Sequence, residues 1–489
     1  MKLSQLKKEL PQARTLHFQD CEIKGVTCDS QSASKGHLFV AINGEARDGH
    51  QFALDAVRNG AAAVVAERKL DLPESVPQVI VEDTREAAAL LAAKFHGYPS
   101  ELLSLVGVTG TNGKTTTTWM LKSIIEAAGK SPGLIGTIHY ESGGRCIPAK
   151  NTTPSALDIN RMLREMYQAG QEYAVMEVSS HSLIQRRVHG LQFAGAVFTN
   201  LTDNEHLDYH KTFEAYREAK CMLFEGLSSA CFAAINLEDP CCGHIASRTK
   251  ARVVTYAVTC KADVRAIVLN ASMSGTRFEL HSPQGSTEIA GSFFGRYNIS
   301  NAAAAATAAL QLGIGIESVR TGLEQYEGTP GRLEVVDCGQ SFSVLVDYAH
   351  SPDALANVLT TLREVAARRI ILVFGCGGDR DRGKRPVMGG IAKQHSDYFV
   401  ITADNSRKER TDDIIAEIEA GIGQCSYYDV QPDRSAAIRL AIASAKPGDI
   451  VLLAGKGHET YQILGDTIIP FDDREQARAA LTQRQKVVA

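Results

Sequence analysis

The chain has 489 residues, 44% hydrophobic and 22% charged, with a formal net charge of −4. That length allows about three domains of ordinary size, each with its own core, and the mildly acidic balance excludes the global basic field of a nucleic-acid binder. Met1–Thr15 holds no apolar signal-peptide core, and no uncharged apolar run reaches transmembrane length, so neither secretion nor membrane insertion is expected.

Residues 1–98 read as a small α/β domain. Strand-like Leu38–Ala41 and Ala61–Ala66 flank a helical stretch at Phe52–Asn59, and Tyr98-Pro99-Ser100 punctuates the end. Residues 99–333 form a second domain, opened by the most informative segment of the chain. The apolar run Leu102–Val108 enters the turn Gly110-Thr111-Asn112-Gly113-Lys114-Thr115-Thr116, after which Leu121, Ile124, Ile125 and Ala128 recur at helical spacing. Strand, Gly-rich loop and helix are the context of a phosphate-binding loop. Glycines let backbone N–H groups turn onto phosphate oxygens, and the helix N-terminus adds partial positive charge. Lys114 supplies a point charge for the β- and γ-phosphates, and the Thr115 hydroxyl suits Mg²⁺. The general pattern asks for glycine where Val108 stands, so this is a variant loop.

Further buried strands are expected at Tyr173–Val178 and Ala194–Asn200, alternating with helices as in a mostly parallel sheet. Glu177 ends the first of them and is a candidate second Mg²⁺ ligand within reach of such a loop. The segment Thr199–His210 is rich in histidine and carboxylate, but its spacing fits no structural zinc pattern. Lys220 reads as a helix-surface lysine, and the alanine run Asn301–Leu310 as a closely packed helix. Eleven scattered cysteines without a Cys-x-x-Cys pattern suggest free thiols in a reducing cytoplasm.

Residues 334–489 form a third α/β unit with strands near Ser343–Asp347, Ile370–Phe374, Tyr398–Thr402 and Ile450–Ala454. Each strand runs into a polar segment: Asp347–Asp353, Gly375–Arg380, Asp404–Arg407 and Gly455–Glu459. Open parallel sheets bind ligands at the carboxyl ends of their strands, so these segments point to one site.

In combination, Thr109–Thr115, Met176–His181, His206–Asp208, Ala219–Lys220, Asn298 with Asn301, Gly331–Glu334, Asp347–Asp353, Gly375–Asp381 and Ala454–Glu459 resemble the Mur ligases, the ATP-dependent amide ligases of peptidoglycan precursor synthesis. The resemblance covers nearly the whole chain, in order. It implies an α/β, three-domain Mur ligase architecture, with a central P-loop parallel-sheet ATPase domain and a Rossmann-like C-terminal domain. It further implies ATP as co-substrate and UDP-N-acetylmuramoyl-L-alanyl-D-glutamate and meso-2,6-diaminopimelate as the partners joined, in the cytoplasm and by a monomer.

Residue by residue, the resemblance implies that Gly110, Thr111, Asn112, Gly113, Lys114, Thr115 and Thr116 hold ATP phosphates, with Asn301, Arg332 and Asp347 also contacting the nucleotide. Thr115 and Glu177 hold one Mg²⁺, and His206 serves a second metal position. Lys220 resembles the family's carbamylated lysine, whose CO₂-derived carbamate is an oxygen ligand; Lys114, His206 and Lys220 are thus the expected catalytic residues. Cys28, Ser30, Glu45, Ala46 and Arg47 resemble the uridine-diphosphate site, and Asn151, Thr152, Thr153, Ser179, Gln185 and Arg187 contacts to the muramoyl-dipeptide. Arg380, Asp404, Asn405, Ser406, Arg407, Gly455 and Glu459 resemble the diaminopimelate site.

The chain departs from the family pattern in places. Gln31 stands where an arginine often follows the serine, the Glu45 region carries one extra residue, and Glu205 replaces the aspartate of Asp-His-Leu-Asp. Ser406 replaces the proline of Asp-Asn-Pro-Arg, which is expected to loosen that loop by about 0.4–1 kcal/mol of unfolded-state entropy. Three other readings compete: the same ligation with L-lysine, a folylpolyglutamate-type ligase, and a nucleotide-driven switch protein. The first domain with Ser30 argues against the folate enzyme, and the polar strand ends of the third unit against a switch.

Overall fold

The computed structural model describes residues 1–44, 47–202, 207–272 and 275–488. The chain forms two compact units: Met1–Leu201 with Thr212–Tyr256 and Ala304–Val319, and Thr202–Lys211 with Ala257–Ala303 and Arg320–Ala489.

The first unit contains two sheets. One runs in the order Arg14–Leu16, Gln78–Ile80, Ala63–Ala66, His37–Val40, Gly25–Thr27, parallel except for its first pair. Its strands are apolar without alternation because both faces are covered. Leu38, Val40, Ala63 and Val65 pack on one side, and Phe39, Ala41, Val64 and Ala66 on the other. The second sheet reads Arg252–Ala257, Phe232–Asn236, Gly195–Phe198, Ser104–Thr109, Tyr173–Glu177, Pro132–Ile135, His139–Ser142, Arg145–Pro148. It is parallel as far as Pro132–Ile135 and antiparallel beyond. From Ser104–Thr109 the chain crosses two places one way to Pro132–Ile135 and later returns to the other side at Gly195–Phe198. The Gly-rich loop therefore leaves the sheet at a topological switch point, where diverging connections open a crevice.

The expected helix is present as Lys114–Ala127, with Leu121, Ile124 and Ile125 fully buried. Four consecutive threonines are weak helix formers. Here Thr115–Thr118 are buried beneath the loop, and the Thr118 hydroxyl donates to the Thr115 carbonyl at 2.8 Å. The hairpin His139–Ser142/Arg145–Pro148 was not expected. Its signal was Gly143-Gly144, which turn at φ 57° and 75°, the left-handed pair that a tight hairpin turn needs.

The second unit holds an antiparallel trio, Val264–Ser272, Gly275–Ser282 and Gly285–Gly291, which also escaped the sequence reading. Its main sheet runs Glu334–Val335, Ser343–Asp347, Ile450–Ala454, Ile370–Phe374, Tyr398–Ile401, Tyr428–Val430. All pairs but the first are parallel. Leu345, Leu372, Phe399, Ile401 and Leu452 face helices Pro352–Val365, Lys384–His395 and Thr411–Glu419. Val344, Val346, Ile371, Val373, Val400, Val451 and Leu453 face Arg434–Ser444 and Asp473–Val488. Ile450–Ala454, the last of these strands in sequence, inserts between Ser343–Asp347 and Ile370–Phe374, and because these strands and Tyr398–Ile401 are parallel, the polar segments that follow them all leave from one edge of the sheet.

Arg434 ties that edge together. It is fully buried, pairs with buried Asp473 through contacts of 2.6 and 2.8 Å, and donates to the Ala454 carbonyl at 2.9 Å. Arg434→Met is expected to cost about 3–5 kcal/mol because it strands a buried carboxylate, read as a fall in the urea midpoint. Replacing Asp473 by Leu in the same chain should recover most of that loss, since a well-packed apolar pair of similar volume needs no compensation.

Candidate active site

The Gly-rich loop is preorganised by its own backbone. Gly110 and Gly113 have φ of 153° and 85°, and a Cβ on Gly110 would collide with Thr199 Oγ1, so only glycine serves there. Lys114 Nζ folds back to donate to the carbonyls of Gly110 and Thr111, both at 2.8 Å. The neighbouring strand end straps the loop in place: Thr111 N donates to the Asn200 carbonyl at 2.8 Å, Asn112 N to Asn200 Oδ1 at 2.9 Å, and Thr199 Oγ1 to the Asn112 carbonyl at 2.6 Å.

Glu177 is fully buried at the carboxyl end of the adjacent strand. Its Oε2 accepts from Thr115 Oγ1 and Thr137 Oγ1, each at 3.0 Å, and its Oε1 from Thr137 N at 2.7 Å. Thr137 was missed in the sequence, although Gly136-Thr137 follows a strand end as the other site segments do. The Thr137 hydroxyl also meets Thr152 Oγ1 at 3.1 Å, so it joins the phosphate loop to the segment Asn151–Thr153. The rest of that segment is equally fixed. Thr153 Oγ1 donates to the Glu177 carbonyl at 2.8 Å and accepts from Ser179 N at 3.0 Å. Ser179 caps the short helix Ser180–Ile184. Arg187 donates to the Thr153 carbonyl at 2.7 Å and to Gln185 Oε1 at 3.0 Å, and Asn151 N donates to the Tyr140 hydroxyl at 3.2 Å. Thr152, Thr153, Ser179, Gln185 and Arg187 are thus one network with Glu177.

Lys220 is not a surface lysine. It is 1% exposed on helix Phe213–Glu225, donates to the Gly110 carbonyl at 2.7 Å and lies 4.7 Å from the centre of the Tyr216 ring. The Tyr216 hydroxyl in turn meets Thr111 Oγ1 at 3.1 Å. Only the fold supplies the apolar cover that buries this face of the helix. His206 lies outside the described residues, as do Glu45 and Ala46. Cys28–Ser30 and Arg47 follow the adjacent parallel strands Gly25–Thr27 and His37–Val40 at one edge of their sheet. There the Ser30 carbonyl accepts from Asn59 Nδ2 at 2.8 Å, and Arg47 is exposed.

In the second unit, Asp347 ends its strand inside the protein. Its oxygens accept from Leu333 N and Ala349 N, each at 2.8 Å. Burial pushes its carboxyl above the usual range, with Arg332 and those two N–H groups opposing the rise. The Arg332 guanidinium stacks 4.8 Å from the Tyr348 ring, and Asn301 Nδ2 donates to Asn298 Oδ1 at 3.2 Å.

The segment Asp404–Arg407 is buried as far as Ser406. Asn405 Nδ2 donates to Glu459 Oε2 at 2.9 Å, and Gly455, at φ 115°, packs against Asp404. In the folded loop the Ser406 hydroxyl meets Thr411 Oγ1 at 2.7 Å, a contact that proline could not make. Arg407 is pinned at φ 51° by its N–H on the Ile463 carbonyl at 3.2 Å and its carbonyl on Gly465 N at 2.8 Å. The Arg407 guanidinium donates to the Gly378 carbonyl at 2.9 Å and flanks Gly377 together with Arg380. Neither arginine has a carboxylate partner among the described residues.

Three family models match the chain: the Mur ligase family catalytic domain over residues 22–96, the Mur ligase middle domain over 108–309, and the Mur ligase glutamate ligase domain over 331–457. Over 99% of its length the chain is 46% identical to the UDP-N-acetylmuramoyl-L-alanyl-D-glutamate--2,6-diaminopimelate ligase of Geobacillus kaustophilus strain HTA426, covering 100% of that protein. The chain belongs to the Mur ligase family. A solved UDP-N-acetylmuramoyl-L-alanyl-D-glutamate--2,6-diaminopimelate ligase matches this Mur ligase with a TM-score of 0.71 at 32% identity, over 99% of this chain and 100% of that one. Folylpolyglutamate synthase of Mycobacterium tuberculosis, complexed with ADP and AMPPCP, shares the fold at a TM-score of 0.60 and 17% identity, over 76% of this chain and 92% of that one. This Mur ligase is a ligase of the α/β class, and no described helix in it is long and apolar enough to cross a membrane.

Proposed function

We propose that the enzyme joins meso-2,6-diaminopimelate to UDP-N-acetylmuramoyl-L-alanyl-D-glutamate at the expense of ATP, as a cytoplasmic monomer. Residues 1–98 would take the uridine-diphosphate end, 99–333 ATP, and 334–489 the incoming amino acid. The observation that carries this reading is the Thr115–Glu177–Thr137–Thr152 oxygen cluster. It links the loop that would hold the γ-phosphate to residues assigned to the muramoyl-dipeptide, as activation of a carboxylate by phosphorylation requires.

A carboxylate is a poor electrophile. Its oxygen attacks the γ-phosphorus of ATP, the bond to ADP breaks, and an acyl-phosphate results. The amine of the amino acid then adds to the acyl carbon, loses a proton, and inorganic phosphate leaves. Lys114 and the loop N–H groups offset negative charge on the transferring phosphoryl group. The Thr115 and Thr137 hydroxyls and the Glu177 carboxylate are hard oxygen donors and fit Mg²⁺; bound there, the ion would neutralise phosphate charge. Lys220, as a carbamate, would add an anionic oxygen donor beside Gly110, and His206 a second metal position. Asn301, Arg332 and Asp347 would hold the nucleotide. Glu45, Ala46 and Arg47 with Cys28 and Ser30 would hold the uridine diphosphate, and Asn151, Thr152, Thr153, Ser179, Gln185 and Arg187 the muramoyl-dipeptide.

Amino-acid choice rests on Arg407. Diaminopimelate differs from lysine by a carboxylate beside its distal ammonium. Arg407 and Arg380 would accept that carboxylate, and Asp404, Asn405 and Glu459 the ammonium. Lysine would leave the guanidinium unpaired, and sites built on such a pairing reject the deficient analogue by about 10⁴-fold. We expect wild-type kcat/KM to favour diaminopimelate on that scale, and Arg407→Ala to lose most of the preference. Equal use of lysine by the wild type, or an unchanged preference in the variant, would overturn the assignment.

A further inference from the structure

Lys456 lies within the Gly455–Glu459 segment. Its side chain is fully buried. A buried ammonium is tolerated only with partners, and those of Lys456 belong to the amino-acid site. Nζ lies 3.0 Å from Glu459 Oε2, 3.3 Å from Asn405 Oδ1 and 5.6 Å from the centre of the Tyr461 ring.

These contacts fix two other side chains. Asn405 Oδ1 receives donors from both Lys456 Nζ and Ile463 N, the latter at 2.9 Å. That end of the amide must be oxygen, so its Nδ2 necessarily turns to Glu459 Oε2 at 2.9 Å. Oε2 of Glu459 is then saturated by two donors, whereas its Oε1, like Asp404 Oδ2, meets no donor among the described residues. The segment thus presents carboxylate oxygens for an ammonium, beside arginines that lack a carboxylate partner among the described residues.

Resting on the reading that this site takes the incoming amino acid, we propose that Lys456 is a positioning residue for specificity: it orients Asn405 and Glu459 so that one Glu459 oxygen is committed to the protein and the other is presented to the ammonium of the amino acid. Lys456 itself touches no substrate. Without it, Asn405 is free to flip and Glu459 to turn, so the ammonium loses a fixed acceptor, whereas the phosphoryl-transfer groups are untouched.

The test is steady-state kinetics of the full chain with diaminopimelate, ATP and the UDP-muramoyl-dipeptide. Lys456→Met should raise KM for diaminopimelate by about 10- to 100-fold, leaving KM for ATP and for the UDP-muramoyl-dipeptide unchanged. Glu459→Gln should raise the same constant. Adding Lys456→Met to Glu459→Gln should change it by less than about threefold, because residues acting through one group are not additive. Should Lys456→Met fail to fold, Lys456→Gln, which keeps a donor, is expected to fold and to show a smaller rise confined to the same constant. An unchanged KM for diaminopimelate, fully additive effects, or an equal loss for all three substrates would overturn the proposal. A wild type that does not use diaminopimelate would instead overturn the function on which it rests.

Discussion

Lys114→Ala is expected to reduce kcat by about 10²–10³-fold or more, with the thermal transition of the protein unchanged. The lysine is held over its own loop by the Gly110 and Thr111 carbonyls, both at 2.8 Å, so on the proposed reading its charge would be in place before ATP arrives. The interaction strengthens as charge builds on the transferring oxygens, so kcat falls rather than only the affinity for ATP. The fold does not depend on it: Thr199, Asn200 and the two loop glycines hold the loop independently. Rapid-quench measurement of ADP formed in the first turnover checks this directly. Near-normal turnover would mean that the loop is not the ATP site.

Lys220→Ala is expected to be inactive, and short carboxylic acids to restore part of the activity. Lys220 is 1% exposed beneath the phosphate loop, its Nζ 2.7 Å from the Gly110 carbonyl and 4.7 Å from the centre of the Tyr216 ring. In the carbamate proposed for it, CO₂ would add to the neutral amine with loss of a proton and turn it into an oxygen ligand. On that reading the group lost in Lys220→Ala is an anionic oxygen donor, which an added carboxylate would replace and an added amine would not. A ¹³C carbamate resonance from active enzyme equilibrated with ¹³CO₂ is the direct observation. Its absence, or rescue by amines alone, would discard the carbamate.

The sequence was sufficient wherever the signal is local. Phosphate binding needs a strand, glycines at positive φ and a helix start within a few residues, so Ser104–Thr109, the loop and Lys114–Ala127 could be read from spacing alone. The same holds for Ser343–Asp347, Ile370–Phe374 and Ile450–Ala454: strands buried on both faces are continuous apolar runs, and their polar ends announce a site. Only tertiary structure could decide what depends on partners distant in the chain. Lys220 is an unremarkable helix lysine until the Gly110 carbonyl, 110 residues away, accepts its hydrogen bond. Thr137 matters because the fold delivers Glu177 to it, and Ser406 holds its loop because Thr411 meets it. The antiparallel strands Val264–Ser272, Gly275–Ser282 and Gly285–Gly291 were missed although they pair with their neighbours in sequence. Gly275–Ser282 alternates, with Thr276, Phe278 and Leu280 buried between more exposed neighbours, but the run Ile267-Val268-Leu269 breaks the alternation of the strand before it. Local periodicity determines the elements and the edge at which they end. Burial and long-range hydrogen bonds decide which of the side chains gathered there can carry the chemistry.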